Sequence, residues 1–295
     1  MTSAGVARKV YDERQLAVSV ARSAPHAALL TLPDCLPFLT SPDSGLALQF
    51  DRDAQRMRDP DGLSYPLRGP LPVLVPTRLQ AHFTDCLRLS PDDASDAFMQ
   101  YFLLACIKQS GAVGDINAPA DDVHYQRHLF RMREFLRSAS GRVLDVGCDD
   151  PLVGQALLPA SAMYLGLDPF CRRQDPFRIV GFAEHLPFAD ASFQAVMFNT
   201  SLDHILDWRR AIDEALRVLA PGGDLFISTL VWEAAAGLVT DAVHFHHFRD
   251  YEIFGALGGL EVTQQRRYDY KGNQHRHGLY LAVRKPSQSP SQSLT

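Results

Sequence analysis

The sequence predicts an α/β fold, a doubly wound sheet that closes on an antiparallel edge, preceded by a small β-rich unit and a helical linker. Three observations predict it. After Gly141, short apolar runs alternate with helical stretches, the pattern of parallel strands joined by crossover helices. The last two apolar runs, Leu260 to Tyr268 and Gly278 to Val283, are joined by a polar hairpin instead of a helix, which pairs them antiparallel. An acid, Asp168, ends the second run of the sheet about twenty residues after the first, where the carboxylate that accepts ribose hydroxyls sits in nucleoside-binding sheets.

The elements follow in order. Residues 1–27 form a mixed extension. Residues 28–78 are dense in Pro, Gly and Asp around short apolar runs, Leu46 to Phe50 and Leu71 to Val75, which reads as a turn-rich β unit. Residues 79–140 form a helical linker and cap. In it, Ser90-Pro91-Asp92-Asp93 starts a helix that runs through Ala97 to Lys108, and a second helix, Asp122 to Ser138, sets Leu129, Met132 and Leu136 on one stripe before Gly141 closes it. Residues 141–285 carry strands at Val143 to Val146, Met163 to Leu167, Ile179 to Val180, Ala195 to Phe198 and Leu225 to Thr229, with helices at Pro151 to Leu158, Trp208 to Leu219 and Asp250 to Leu257. Residues 286–295, rich in Pro, Ser and Gln, read as a disordered tail.

Composition narrows the function. A formal charge of −5 offers no global attraction to polyanions, so a nucleic-acid partner is not expected. Five cysteines without a C-x-x-C pair give neither a disulfide framework nor a zinc site. No apolar stretch is long enough to span a bilayer, so no membrane partner is expected and the expected location is the cytoplasm.

The turn after the first strand of an open α/β sheet is where ligands bind. Here it reads Asp145-Val146-Gly147-Cys148-Asp149-Asp150-Pro151. A dinucleotide site wants G-x-G-x-x-G, and only Gly147 is present. Asp149 and Asp150 would repel phosphates, which argues against NAD, FAD or ATP. Asp150 is best read as the N-cap of the helix that starts at Pro151.

Five segments, in order, resemble class I S-adenosylmethionine (SAM)-dependent methyltransferases of the type 11 kind. They are Val143 to Cys148, Tyr164 to Pro169, Ala183 to Phe188 with Ser192-Phe193, Ser201 to His204, and Leu216 to Gly223. The resemblance implies a Rossmann-like seven-stranded methyltransferase sheet, with Pro221-Gly222-Gly223 as a turn before the fifth strand. It implies SAM as cofactor, whose positive charge suits an acidic turn. Asp145, Gly147, Cys148 and Asp149 would border its methionine part, Asp168 with Pro169 its ribose, and Phe182, Ala183 and Glu184 its adenine. Asn199 and Thr200, continuing to His204, would line the floor beside the methyl. Asp149 stands where the family has a second glycine, Phe182 where it has an acid, and Gln194 where it has another.

Tyr65 to Pro76 with Leu32 to Cys35 resemble the small zinc-ribbon domains fused to, or partnering, RNA and tRNA methyltransferases. The positions aligned with the metal ligands are Leu32, Cys35, Arg58 and Asp61, and one cysteine cannot close a tetrahedral site, so a zinc-free relic is expected.

A hydroxyl acceptor needs a base, and His204, oriented by Asp203, is the candidate catalytic pair, with helix capping as the plainer role for Asp203. His244, His246 and His247, with Tyr268 and Tyr270, are candidate substrate-binding residues. A polar wall without metal is favoured over a metal cluster, since no motif such as H-E-x-x-H is present. The implied function is a SAM-dependent methyltransferase acting on a small-molecule acceptor, on an oxygen of a sugar-like or secondary-metabolite substrate. An rRNA base methyltransferase and a non-methylating protein that reuses the fold are the alternatives. Self-association is left open.

Overall fold

The computed structural model describes residues 27–80, 123–169, 176–233, 237, 244–269 and 275–287. The predicted helix over 97–108 and Tyr270 lie outside them, as do residues 1–26 and 288–295.

The predicted sheet is present with seven strands. Its parallel part is β6 (Gly141–Val146), β7 (Ala162–Leu167), β8 (Phe193–Asn199) and β9 (Leu219–Trp232). Its closing hairpin is β10 (Glu261–Asp269) and β11 (Arg276–Arg284), both antiparallel pairs, with β11 against β9. The order is β1-β7-β6-β8-β9-β11-β10, and the edge strand β1 is Ala28–Leu29.

That edge corrects the predicted strand at Ile179 to Val180. The row beside β7 is shared: Ala28 and Leu29 pair with Met163 and Tyr164, while Ile179 makes a single parallel bridge to Leu167 and Val180 one to Val73. The N-terminal segment therefore completes the main sheet. A second correction concerns Pro221-Gly222-Gly223, which forms a bulge within β9, where the register passes from Phe193–Leu219 directly to Ala195–Asp224. Gly222 has φ +76°, and a Cβ on Gly223 would lie 2.8 Å from the Gln194 carbonyl oxygen. Gly141, expected to close a helix, instead starts β6 at φ +66°.

Helices cover the sheet. α3 (Val123–Phe135) buries Leu129, Met132 and Phe135, with Leu136 just beyond it. α4 (Pro151–Leu157) is capped by Asp150, which accepts the Leu152 N–H at 3.0 Å. α5 (Trp208–Val218) buries Trp208, Ala211, Ile212, Ala215 and Val218, one helical stripe, and is capped by Asp207. α6 (Asp250–Ala256) precedes β10.

The N-terminal unit comprises short helices α1 (Leu32–Cys35) and α2 (Thr77–Gln80) and an antiparallel sheet of β2 (Gln49–Asp51), β3 (Arg56–Arg58), β4 (Ser64–Arg68) and β5 (Leu71–Pro72). Cys35 lies in its apolar core, where burial pushes the thiol up to about 12, and Arg58 pairs with Asp51 at 3.0 Å. The unit shares a core with the large sheet. Phe38 packs edge-on to Phe193 at 5.5 Å and against Phe188 at 6.2 Å, and Leu39 bridges Phe188. No described helix is long and apolar enough to cross a membrane.

Because Phe38 joins the two units, Phe38→Ala should cost about 3 to 5 kcal/mol. Urea denaturation followed by fluorescence and by circular dichroism should give one coincident transition, at lower urea than wild type. A separate early transition would show that the units melt independently.

Candidate active site

The turn after β6 is built on backbone that most residues avoid. Gly147 has φ +75°, and a Cβ there would lie 2.5 Å from the Ser201 Cβ. Ser201 uses that space to donate to the Val146 carbonyl at 2.5 Å, tying the ends of β6 and β8 together. Asp149 has φ +44°, a left-handed conformation that Asp tolerates better than most residues. Its N–H donates to Asp168 at 3.0 Å, and its carbonyl accepts from the guanidinium of Arg178. Asp168, buried at the end of β7, thus already holds the turn that resemblance places beside the methionine.

Asp145 lies beneath this turn, 1% exposed. Tyr164 donates to its Oδ2 at 2.9 Å, while Oδ1 is buried without a hydrogen bond. Burial, and secondarily the charge of Asp168, raises its carboxyl to about 7. Cys148 is buried next to it, and burial pushes its thiol well up. Phe182 and Ala183 are buried, and Glu184 turns its carboxylate to the Asp207 N–H at 3.2 Å, bracing the start of α5. Phe182 and Glu184 also line a cavity of about 90 Å³ together with Arg78, Leu206 and Arg210.

At the end of β8, the Asn199 Oδ1 accepts from His128 Nε2 at 2.8 Å and from Ser228 at 3.4 Å, and His128 Nδ1 meets the Tyr280 hydroxyl at 2.7 Å. Burial lowers His128 to about 4, so the ring is neutral. An amide oxygen can only accept, so Nε2 carries the proton and Nδ1 accepts from Tyr280. Thr200 has φ +55°, and its N–H donates to the Ser228 carbonyl at 2.9 Å.

Asp203, 4% exposed, follows on a 3₁₀ turn, Leu202–His204. His204 Nε2 lies 3.9 Å from its Oδ1, and His244 Nε2 lies 3.9 Å from its Oδ2. The two imidazoles are 4.7 Å apart between centroids. His247 sits between the rings of His244, at 5.9 Å, and Trp232, at 5.7 Å. His246 departs from the predicted group: its Nε2 donates to the carbonyls of Ile205 at 2.9 Å and Leu206 at 3.0 Å, and its ring stacks on Phe248. Tyr268 packs against Tyr280 and under the Arg131 guanidinium, apart from the histidines in its described contacts.

Sequence reasoning missed Arg178 and His128. A lone arginine in an apolar run carries no signal, and His128 falls on a helix whose stripe reads only as core.

A sheet of this order is an open α/β fold whose ligands bind at the carboxyl ends of the parallel strands, where the acidic turn lies. Residues 122–277 match the family described as a methyltransferase domain, and the chain belongs to that family. Over 88 residues it is 34% identical to the ubiquinone/menaquinone biosynthesis C-methyltransferase of Haemophilus ducreyi, covering 30% of this chain and 32% of that protein. Over 105 residues it is 29% identical to the human mitochondrial ubiquinone biosynthesis O-methyltransferase, covering 30% and 28%. The chain thus spans about a third of the length of these relatives. Among solved structures it is similar to the 1,6-didemethyltoxoflavin N1-methyltransferase of Burkholderia thailandensis, with 17% identity, 81% of this chain, 99% of that one and a TM-score of 0.47.

The methyltransferase family implies SAM as the methyl donor, and the residues present fit it. The buried Asp145 Oδ1 has no hydrogen-bond partner, and Asp168 lies close enough to raise the Asp145 carboxyl, a pair of acids beneath the turn that suits a cation and not a phosphate.

Two measurements follow. Gly147→Ala meets both a strained φ and the Ser201 side chain, so it should lose about 1 to 3 kcal/mol from the backbone alone and bind SAM more weakly. The buried pair Asp145 and His128 should tilt stability in opposite directions. The folded pKa of Asp145, about 7, lies above the 3.8 of a free aspartate, so its contribution is full below 3.8 and lost as pH rises through 7. The folded pKa of His128, about 4, lies below 6.5, so its contribution is lost as pH falls from 6.5 to 4. Relative to wild type, Asp145→Asn should gain stability as pH rises over the first window, and His128→Gln as pH falls over the second. Urea midpoints measured across pH check both.

Proposed function

We propose that this chain transfers the methyl group of SAM to an oxygen of a small-molecule acceptor, sugar-like or a secondary metabolite. The observation that carries the reading is the convergence of Asp203, His204 and His244 at the carboxyl end of β8, one short turn from the acidic loop. When bound, SAM supplies the methyl as an electrophile on a sulfonium. Asp145, Gly147, Cys148 and Asp149 border its methionine part, Asp168 and Pro169 its ribose, and Phe182, Ala183 and Glu184 its adenine. Asn199 and Thr200 form the floor. The amide of Asn199 is held in one orientation, because two donors occupy its oxygen.

The chain's own task is then to hold an acceptor hydroxyl in line and remove its proton. His204 takes that proton, Asp203 steadies the imidazolium through its buried carboxylate, and His244 and His247 line the acceptor side. Relatives named for C- and O-methylation are consistent with such a hydroxylated acceptor. The negative formal charge of −5 supports a small molecule over RNA.

Calorimetry tests the cofactor half. A cation bound next to Asp145 should lower its carboxyl from about 7, releasing up to about half a proton per SAM at pH 7. The measured heat should therefore differ between buffers of unlike ionisation enthalpy, and a chain that shows no SAM heat at all fails the reading. For the catalytic half, His204→Gln should reduce turnover of methyl-labelled SAM with a hydroxylated metabolite extract by about 10² to 10⁴ while leaving SAM affinity unchanged. Unchanged turnover would remove His204 from the chemistry.

A further inference from the structure

Sequence alone treats His244, His246 and His247 as one polar wall. The structure divides them, turning His246 onto backbone carbonyls and setting His244 opposite Asp203 and His204. We propose that Asp203, His204 and His244 bind one first-row divalent cation of the manganese-to-zinc class. The proposal rests on the methyl-transfer reading for its use, not for its existence.

Donor chemistry selects the ion class. One carboxylate with two imidazoles suits manganese, iron, cobalt or zinc, whereas calcium and magnesium favour all-oxygen shells. Geometry supports it. Donors about 2.0 to 2.2 Å from a shared ion lie at most about 4.4 Å apart. The two nitrogen-to-carboxylate distances are 3.9 Å, and all three ligand atoms lie within 4.8 Å of one another. In a tetrahedral shell donors at those bond lengths lie about 3.3 to 3.6 Å apart, so closing around an ion draws the three side chains in by roughly half an ångström to one and a half. Each imidazole faces a different oxygen of the same buried carboxylate.

The site is held in shape by its surroundings. The N–H groups of Phe245 and His246 donate to the Asp203 carbonyl at 2.9 and 3.2 Å, and the His246 ring grips Ile205 and Leu206. The segment that carries His244 is therefore pinned to the turn that carries Asp203 and His204, the outer-shell support that ligands of a metal need. Three protein donors leave coordination positions for a substrate oxygen. An ion and a proton compete for the same His204 Nε2 lone pair. With an ion bound, His204 would be a ligand and not the base: the ion would lower the pKa of an acceptor hydroxyl that reaches it, and the hydroxyl proton would pass to water in place of His204. That favours acceptors with an ionisable hydroxyl that can reach the ion.

The full chain, treated with chelator and dialysed, is titrated with Co²⁺ and Zn²⁺ by calorimetry and by visible absorption of the cobalt form. The expected result is one saturable equivalent with visible bands, weakened about 10-fold or more in Asp203→Asn and in His244→Gln. No saturable binding, or wild-type affinity in a folded His244→Gln, overturns the proposal. Should both variants fail to fold, nitrogen-15 spectra of wild-type histidines decide it: Zn²⁺ must shift His204 and His244 and leave His277 unmoved, and shifts at other histidines alone refute the site. SAM heat is measured in parallel. Its loss with ion binding intact would sink the methyl-transfer reading and leave the ion site standing.

Discussion

The site depends on the left-handed turn after β6. Gly147 and Asp149 both take positive φ there, and each is held by groups from a different part of the sheet. The missing Cβ of Gly147 admits Ser201, whose hydroxyl reaches the Val146 carbonyl and fixes where the chain leaves β8. The left-handed Asp149 costs on the order of 1 to 2 kcal/mol. It is offset by two charge-assisted hydrogen bonds, each stronger than a neutral one: its N–H donates to Asp168 and its carbonyl accepts from Arg178. One turn thereby aligns the ends of β6, β7 and β8 with the segment at Arg178, and Asp145 to Asp149, Asp168, Asn199, Thr200 and the Asp203–His204 pair all sit at those ends.

Beneath the turn, burial favours neutral side chains. Asp145 is pushed up and His128 down, and both are held by tyrosine hydroxyls, Tyr164 and Tyr280. Their roles differ. His128 has both ring nitrogens engaged and acts as a strut that fixes the Asn199 amide. Asp145 keeps one buried oxygen without a hydrogen bond, and a positive ligand nearby would stabilise its ionised form.

How much was legible follows from the range of each interaction. The strands β6 to β8, the cap at Asp150 and the span of α5 are local patterns that the sequence places within a residue or two, while β9 begins six residues earlier and ends three later than expected. The strand Ala28–Leu29 is only two residues long, and its register with Met163 and Tyr164 has no local signature, so the edge beside β7 was assigned to Ile179 and Val180. His244 and His246 are two residues apart and chemically identical. Only the hydrogen bonds from Phe245 and His246 to Asp203, across forty residues of chain, decide which imidazole faces the carboxylate. Arg178 was invisible for the same reason: its partner is a backbone carbonyl exposed only by a left-handed turn elsewhere.

The two resemblances also separate on physical grounds. In the N-terminal unit, Cys35 lies among Phe38, Leu39 and Leu48, and Arg58 is engaged by Asp51, so aromatic and aliphatic packing against Phe188 and Phe193 holds that unit to the large sheet. At the carboxyl ends of β6, β7 and β8 the pattern reverses. Asp145, Asp149, Asp150, Asp168 and Asp203 collect within a few residues of those ends, while the nearby cation Arg178 is committed at the Asp149 carbonyl. Acids concentrated on one rim of a sheet raise the local concentration of cations far more than a modest net charge would. A cationic methyl donor meets that field, which makes an acidic turn an asset for SAM where it would be a defect for a nucleotide.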